Sequence, residues 1–428
     1  MYDFANSPFT TIINSLLFNV YFTSVVVGDK GAILFGFMVP ASSLWTYIVS
    51  LSVALLVVTA PVLGAVADLS GSKKKFLFSY CYVGCLSTGL LFFAREGGYV
   101  YASLLYMVAN YAFSASSAFY NSFLPEISTK GNVGRVSGLG WGVGFLGGAA
   151  ALALSLILIR EPGWFRIPRE DNLPIRSVFL VVALWWAVFS LFSLFLLKER
   201  ASCRLPAGVG YARAGFTRLF QTFRKVRLHR ELFKYLTAFL VYNIGVETVM
   251  VIGAVLGSRL FGIKPPEMVL AFLIGQVIAM LGAFIMGWLS DVLSNRVVIL
   301  ASLFVWVFVV VWAFFMDSKA EFWTIGVVIA FILAGTQSAS RALFGLFTPP
   351  ENSAEFYGLY ALCSKLGTLV GPLVFGVLVQ FFTAYKIIDF DPLRIALLFI
   401  AVFFLAGGAL MCFVSEKRGT EESLKPVV

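Results

Sequence analysis

Residues 40–75 read PASSLWTYIVSLSVALLVVTAPVLGAVADLSGSKKK. From Pro40 to Ala67 there is no charged side chain, and the run stops on Asp68 and the basic triplet Lys73-Lys74-Lys75. At about 1.5 Å per residue a helix of this length outreaches the ~30 Å hydrocarbon core of a bilayer. Backbone N–H and C=O groups in lipid must be paired within the segment, so an apolar run of this length is a spanning helix. The lysines after it are the topological stop.

The same pattern recurs along the chain. Runs near 7–28, 76–94, 99–119, 136–159 and 176–197 join 40–67 as a first set. Runs near 232–257, 267–290, 297–316, 321–344, 355–382 and 393–414 form a second. The expected fold is an all-α membrane protein of twelve spans in two six-helix bundles. Its divisions are 1–197 (first bundle), 198–231 (linker), 232–414 (second bundle) and 415–428 (tail). Composition agrees: 60% of residues are hydrophobic, 13% are charged and 44 are Phe, with a mean hydropathy of +0.90. A soluble domain carries about 25% charged residues. The alternating short strands of a membrane barrel are not seen.

The net charge of +10 does not mark a nucleic-acid surface, because Lys and Arg lie between apolar runs rather than in a basic domain. They concentrate in loops 68–75, 120–135, 198–234 and 291–296 and in the tail, which places both termini in the cytoplasm. The loop at 160–176, with Arg160, Arg166, Arg169 and Arg176, runs against that bias. The short loops point to a bacterial cytoplasmic (inner) membrane. No cleavable signal peptide is read. In the linker, Phe216, Leu219, Phe220 and Phe223 take helical spacing opposite Arg218, Arg224, Lys225 and Arg227, the pattern of a basic helix lying on the membrane surface. Cysteines 81, 85, 203, 363 and 412 form neither a disulfide framework nor a metal pattern.

The halves repeat each other. Gly64-x-x-x-Asp68 ends the second span and Gly287-x-x-x-Asp291 ends the eighth; Gly138-Leu139 opens the fifth and Gly358-Leu359 the eleventh. Matched markers at nearly one offset indicate a duplicated unit. The stretch Gly64 to Lys75, with Asp68 and Gly71, resembles the major facilitator signature between helices 2 and 3. The resemblance implies glycines for close helix approach and an aspartate that caps a neighbouring helix or pairs with an arginine as a gate. Leu69 and Ser72 stand where that signature is usually basic, and in the second copy Ser294 replaces a glycine. Arg135 and Arg341 are the arginines placed to latch Asp68, Asp291 or nearby acids; contact with topology or lipid phosphate is the alternative.

Longer stretches narrow the resemblance. They are Tyr2-Asp-Phe-Ala-Asn-Ser7 before the first helix, Tyr120-Asn-Ser-Phe-Leu-Pro-Glu-Ile127, Gly134-Arg-Val-Ser-Gly-Leu-Gly-Trp141, Gln337-Ser-Ala-Ser-Arg341 and Glu355-Phe-Tyr-Gly-Leu-Tyr360. From residue 2 to about 380 the chain resembles the "unknown major facilitator" family, which includes fungal autophagy-related vacuolar effluxers. The resemblance implies a secondary transporter, with amino-acid export as the fungal activity. Where that family has aromatic-Asn-Asp-Gly in helix 7, this chain has Tyr242-Asn243-Ile244-Gly245-Val246-Glu247, so the acid is read as moved one turn along.

Charged groups at bilayer depth cost at least ~2.5–3.5 kcal/mol and call for a reason. Glu247 and Lys365 both fall near mid-span. One reading is a neutralising structural pair. The other is proton exchange by Glu247, or capture of a zwitterion by the two together. Asn110, Ser114, Ser117 and Asn121, spaced four, three and four, share one face of helix 4, either lining a cavity or packing helices. Asn14, Asn19, Asn243 and Gln337 extend that set.

His229 is the only histidine, so no Ser–His dyad or histidine metal cluster can form, and no P-loop is present. The expected protein is therefore not an enzyme and needs no cofactor. It is a monomeric carrier that moves a small solute through the lipid bilayer by alternating access, with a proton as candidate coupling ion. A lipid or amphiphile flippase of the same fold is the alternative.

Overall fold

In the computed structural model, residues 1–34, 36–199, 229–385 and 391–424 are described. The basic amphipathic segment expected over 216–227 lies outside them. Twelve long helices run through the described chain. The first-half helices are α1 (Tyr2–Val27), α2 (Ala41–Ser70), α3 (Lys73–Leu90), α4 (Tyr99–Asn121), α5 (Val133–Arg160) and α6 (Leu173–Leu196). Those of the second half are α7 (Arg230–Phe261), α8 (Pro265–Val292), α9 (Asn295–Phe315), α10 (Lys319–Phe347), α11 (Ser353–Tyr385) and α12 (Pro392–Cys412).

Eleven of the helices are both long and apolar enough to cross a bilayer. The remaining one, α4, has 23 residues, about 34 Å of helix. Its hydropathy is diluted by Ser103, Asn110, Ser114, Ser116 and Ser117, of which all but the half-buried Ser117 are buried. Large apolar side chains on the outer faces, among them Val58, Leu86, Phe195, Phe304 and Leu373, are more than 60% exposed. In water such a belt would aggregate; in a bilayer it is the solvated surface.

Two departures from the expected elements have local causes. Residues 2–7 were expected to precede the first helix, yet they form its first turns, with Tyr2 and Ala5 fully buried. Tyr2 packs its ring on Tyr120 at 4.9 Å and Phe4 packs on Trp185 at 5.3 Å, so burial of aromatic surface holds this end helical. Between α1 and α2 a small antiparallel hairpin pairs Ala32–Leu34 with Phe37–Val39. Gly31 and Gly36, at φ +70° and +85°, provide the backbone turns that let it form.

The described residues pack as two compact units. One takes Met1–Ala60, Ser70–Tyr120 and the first half from Val143 onward; the other takes Pro61–Leu69, Asn121–Gly142 and the second half. The α2 end and the α4–α5 junction thus belong with the second-half helices.

The duplication extends beyond the glycine–aspartate markers. Arg176, at the start of α6, donates from Nε to the carbonyl of Phe92 at 2.6 Å and pairs with Asp171 at 2.6 Å. Arg394, at the start of α12, donates to the carbonyl of Phe314 at 3.0 Å and pairs with Asp317 at 3.2 Å. Each arginine ties the opening of one helix to the closing turn of the helix three before it. Arg176 is 1% exposed, so it is a structural clamp rather than a topological charge. That accounts for one of the four arginines that ran against the charge bias.

Candidate functional site

The signature loops resolve into a crossed pair of helix caps. Asp68, at the end of α2 and 1% exposed, accepts the N–H of Ala354 at 3.2 Å and of Glu355 at 2.8 Å, in the first turn of α11. Asp291, at the end of α8, accepts the N–H of Gly134 at 2.7 Å and of Arg135 at 3.0 Å, in the first turn of α5. A carboxylate on the free N–H groups of a helix start gains both hydrogen bonds and the favourable end of the helix dipole. Arg135 adds an ion pair to Asp291 at 3.4 Å.

The glycines make that approach possible. A Cβ on Gly64 would overlap the Ala354 carbonyl, one on Gly138 the Ala283 carbonyl, and one on Gly287 would stand 2.8 Å from the Gly134 carbonyl. Gly71 takes φ +56°, the left-handed turn that ends α2. Ser294, in the glycine's place of the second copy, carries φ +154°, a strained conformation outside glycine, and caps the Val297 N–H at 3.2 Å.

Arg341, on α10, is 4% exposed. Its guanidinium donates to the Ser137 hydroxyl at 3.0 Å, the Ser137 carbonyl at 2.6 Å and Asn121 Oδ1 at 3.1 Å, and lies 5.5 Å from the Trp141 ring. Asn121 therefore meets Arg341, apart from the other three residues of its helical face.

Those three belong to the first unit. Asn110 and Ser114 are buried, and Ser117 is half-buried and accepts a hydrogen bond from Asn6 at 3.4 Å. Asn110 receives a hydrogen bond from Asn14 at 3.3 Å and donates to Ser52 at 2.7 Å. Asn14 sits inside Phe9–Leu17, a widened π-helical stretch of α1. Such stretches are rare and cluster at functional positions.

In the second unit α7, α10 and α11 bring a polar group together. Gln337 donates to Asn243 Oδ1 at 3.3 Å, and Asn243 Nδ2 donates to the Ser364 carbonyl at 3.2 Å. Gly367 leaves the space for that amide, since a Cβ there would stand 2.7 Å from it. One turn on, the Glu247 carboxylate of α7 feels the charge of Lys365 on α11, where Thr368 donates its hydroxyl to the Ser364 carbonyl. Both ionisable side chains are half-buried. Among the described residues no group of His, Cys, Asp or Glu is arranged to hold a metal.

Sequence reasoning missed three acids. The stretch from 415, read as a tail, carries a helix, α13 (Glu416–Glu422). Glu416 accepts the Arg296 N–H at 2.9 Å at the start of α9, and Glu422 accepts the Glu231 N–H at 3.1 Å at the start of α7. Glu231 in turn accepts the Ser415 N–H at 2.6 Å. An acid beside an apolar run's start was the available signal.

Comparison with known proteins fits this geometry. The family described as "Vacuole effluxer Atg22 like" matches residues 1–424. The chain belongs to that family. Among Atg22-like relatives, an uncharacterized MFS-type transporter, YxiO of Bacillus subtilis, is 26% identical over 99% of this chain and 95% of its own length. Autophagy-related protein 22-1 of Aspergillus fumigatus is 22% identical over 91% of this chain and 77% of its own. In fold the chain is similar to the proton:xylose symporter XylE (TM-score 0.73, 12% identity, 99% and 96% of the two chains). It is also similar to FucP in its outward conformation (TM-score 0.69, 13% identity, 97% of each). The Atg22-like chain is thus a multi-pass membrane transporter of the major facilitator superfamily.

Proposed function

We propose that this secondary transporter exports a small amino-acid-like solute, with a proton as the coupling ion exchanged at Glu247. The observation that carries the reading is an acid and an amine, Glu247 and Lys365, set at intermediate exposure on the spanning helices α7 and α11, each within the field of the other's charge. A purely structural pair gains most from close contact and full burial, because half-solvated ions at that depth still bear a desolvation cost. An acid and an amine held for exchange need access, and a zwitterion offers each of them a partner. Asn243 and Gln337 supply neutral donors one turn away.

The crossed caps at Asp68 and Asp291, with Arg135, Arg341, Gly64 and Gly71, act as the gate on the side where the basic loops gather. That side is the cytoplasm of a bacterial cell, both termini lie there, and the protein works as a monomer. The reading is tested by reconstituting the full chain in proteoliposomes and measuring uptake of labelled amino acids with and without an imposed proton gradient. Gradient-dependent uptake of at least one amino acid is expected. No uptake of any amino acid, with redistribution of a labelled lipid instead, would replace this reading by the flippase one.

A further inference from the structure

The polar contacts of the first unit form a chain with a direction. Tyr106 donates its hydroxyl to Asn14 Oδ1 at 3.2 Å, and Asn14 Nδ2 donates to Asn110 Oδ1 at 3.3 Å. Asn110 Nδ2 donates to Ser52 Oγ at 2.7 Å, and Ser52 donates to the carbonyl of Val49 at 2.7 Å. The sequence of donors runs from α4 to α1, back to α4, and ends on α2.

An amide side chain can be turned end for end, so something must fix it. Turning Asn110 alone would set its Nδ2 against that of Asn14, donor facing donor. Turning both would point Asn110 Oδ1 at Ser52, which would have to abandon Val49 to donate. The bond from Ser52 to a backbone carbonyl therefore sets the polarity of the whole chain. Tyr106 and Asn110 are 2% and 3% exposed and Ser52 is 1% exposed, whereas Asn14 is half-buried. Asn14 is thus the accessible end of a buried, oriented relay. After its internal bonds it keeps one N–H and one acceptor direction.

We infer that Asn14 is a specificity residue that gives its remaining N–H to a carboxylate oxygen of the solute, and that Asn110 and Ser52 are positioning residues which hold it in that orientation. This rests on the amino-acid reading above. Asn14 lies within the widened turn of α1 at Phe9–Leu17, where the residue spacing departs from that of a regular α-helix.

The test uses proteoliposomes of the full chain with the twenty labelled L-amino acids. For the one carried best, its amino alcohol, which lacks the carboxylate, is compared with the unlabelled amino acid as inhibitor. In the unaltered protein the alcohol is expected to inhibit about tenfold more weakly or worse, the worth of a hydrogen bond to a charged group. Asn14→Ala and Ser52→Ala should raise KM by about the same factor and narrow that preference while Vmax changes little. Ser52→Thr, which keeps the hydroxyl, should retain the preference even if Ser52→Ala folds poorly. An unchanged preference in Asn14→Ala overturns this inference and leaves the amino-acid reading standing. If the unaltered protein carries none of the twenty, the amino-acid reading falls and takes this inference with it.

Discussion

Removing Asp68 should open the far side of the gate as well as its own. Its carboxylate holds two N–H groups of α11 at 3.2 and 2.8 Å from a site 1% exposed. A hydrogen bond to a charged group is worth ~1.5–3 kcal/mol, a helix cap ~0.5–2 and the dipole up to ~2, and these figures describe overlapping parts of one interaction. A net loss of about 3 kcal/mol in the latched state is a fair central value, or roughly 100-fold in the latched-to-open ratio. Ser290 on α8 is a suitable reporter. It is 2% exposed, its hydroxyl has no partner among the described residues, and a Cβ on Gly134 would come within 2.7 Å of its own Cβ. In a background with cysteines 81, 85, 203, 363 and 412 replaced, Ser290→Cys should react with N-ethylmaleimide roughly 100-fold faster once Asp68→Ala is added, if opening limits access. The reporter belongs to the Asp291 cap, so fraying of α11 alone would not expose it. An unchanged rate would mean that the caps are fixed joints, or that they open separately, and the gate reading would fail.

Gly138→Ala should prevent α5 from seating on Ala283 and Gly287, and Ser290→Cys should then label at its maximal rate without Asp68→Ala. Glu247→Gln should abolish the dependence of transport on pH and on a proton gradient; a retained dependence would remove Glu247 from coupling. Arg176→Met should cost about 2 kcal/mol, chiefly the charged hydrogen bond to Phe92, because the half-exposed Asp171 adds little. Its thermal midpoint in detergent should fall by several degrees, and by less for Arg394→Met, whose side chain is 18% exposed. Glu416→Ala should release α13 from the start of α9, seen as faster proteolysis after Arg418 with the rest of the chain intact.

The spans were legible because lipid imposes one rule on the backbone, and apolar runs record it directly. Asp68 and Asp291 were legible as cap or ion-pair acids, but their helices were not. Ala354 and Glu355 lie nearly three hundred residues from Asp68, and nothing local names them. The polar face of α4 was visible from its spacing. That Asn110 faces Asn14 and Ser52, while Asn121 serves Arg341, depends on neighbouring helices that the period does not reveal. Arg176 misled for the same reason: a charge beside a span looks topological unless the carbonyl it satisfies is known.

The crossed caps bear on how such a chain could arise. The acid closing α2 serves α11, and the acid closing α8, its repeat, serves α5, the repeat of α11. Two identical six-span subunits related by a twofold axis would exchange this contact twice over, from a single surface complementary to itself. Fusing their genes would then have required no new recognition, only a tether. Drift would afterwards be free to make the copies unequal, and Ser294 stands in the second where Gly71 stands in the first.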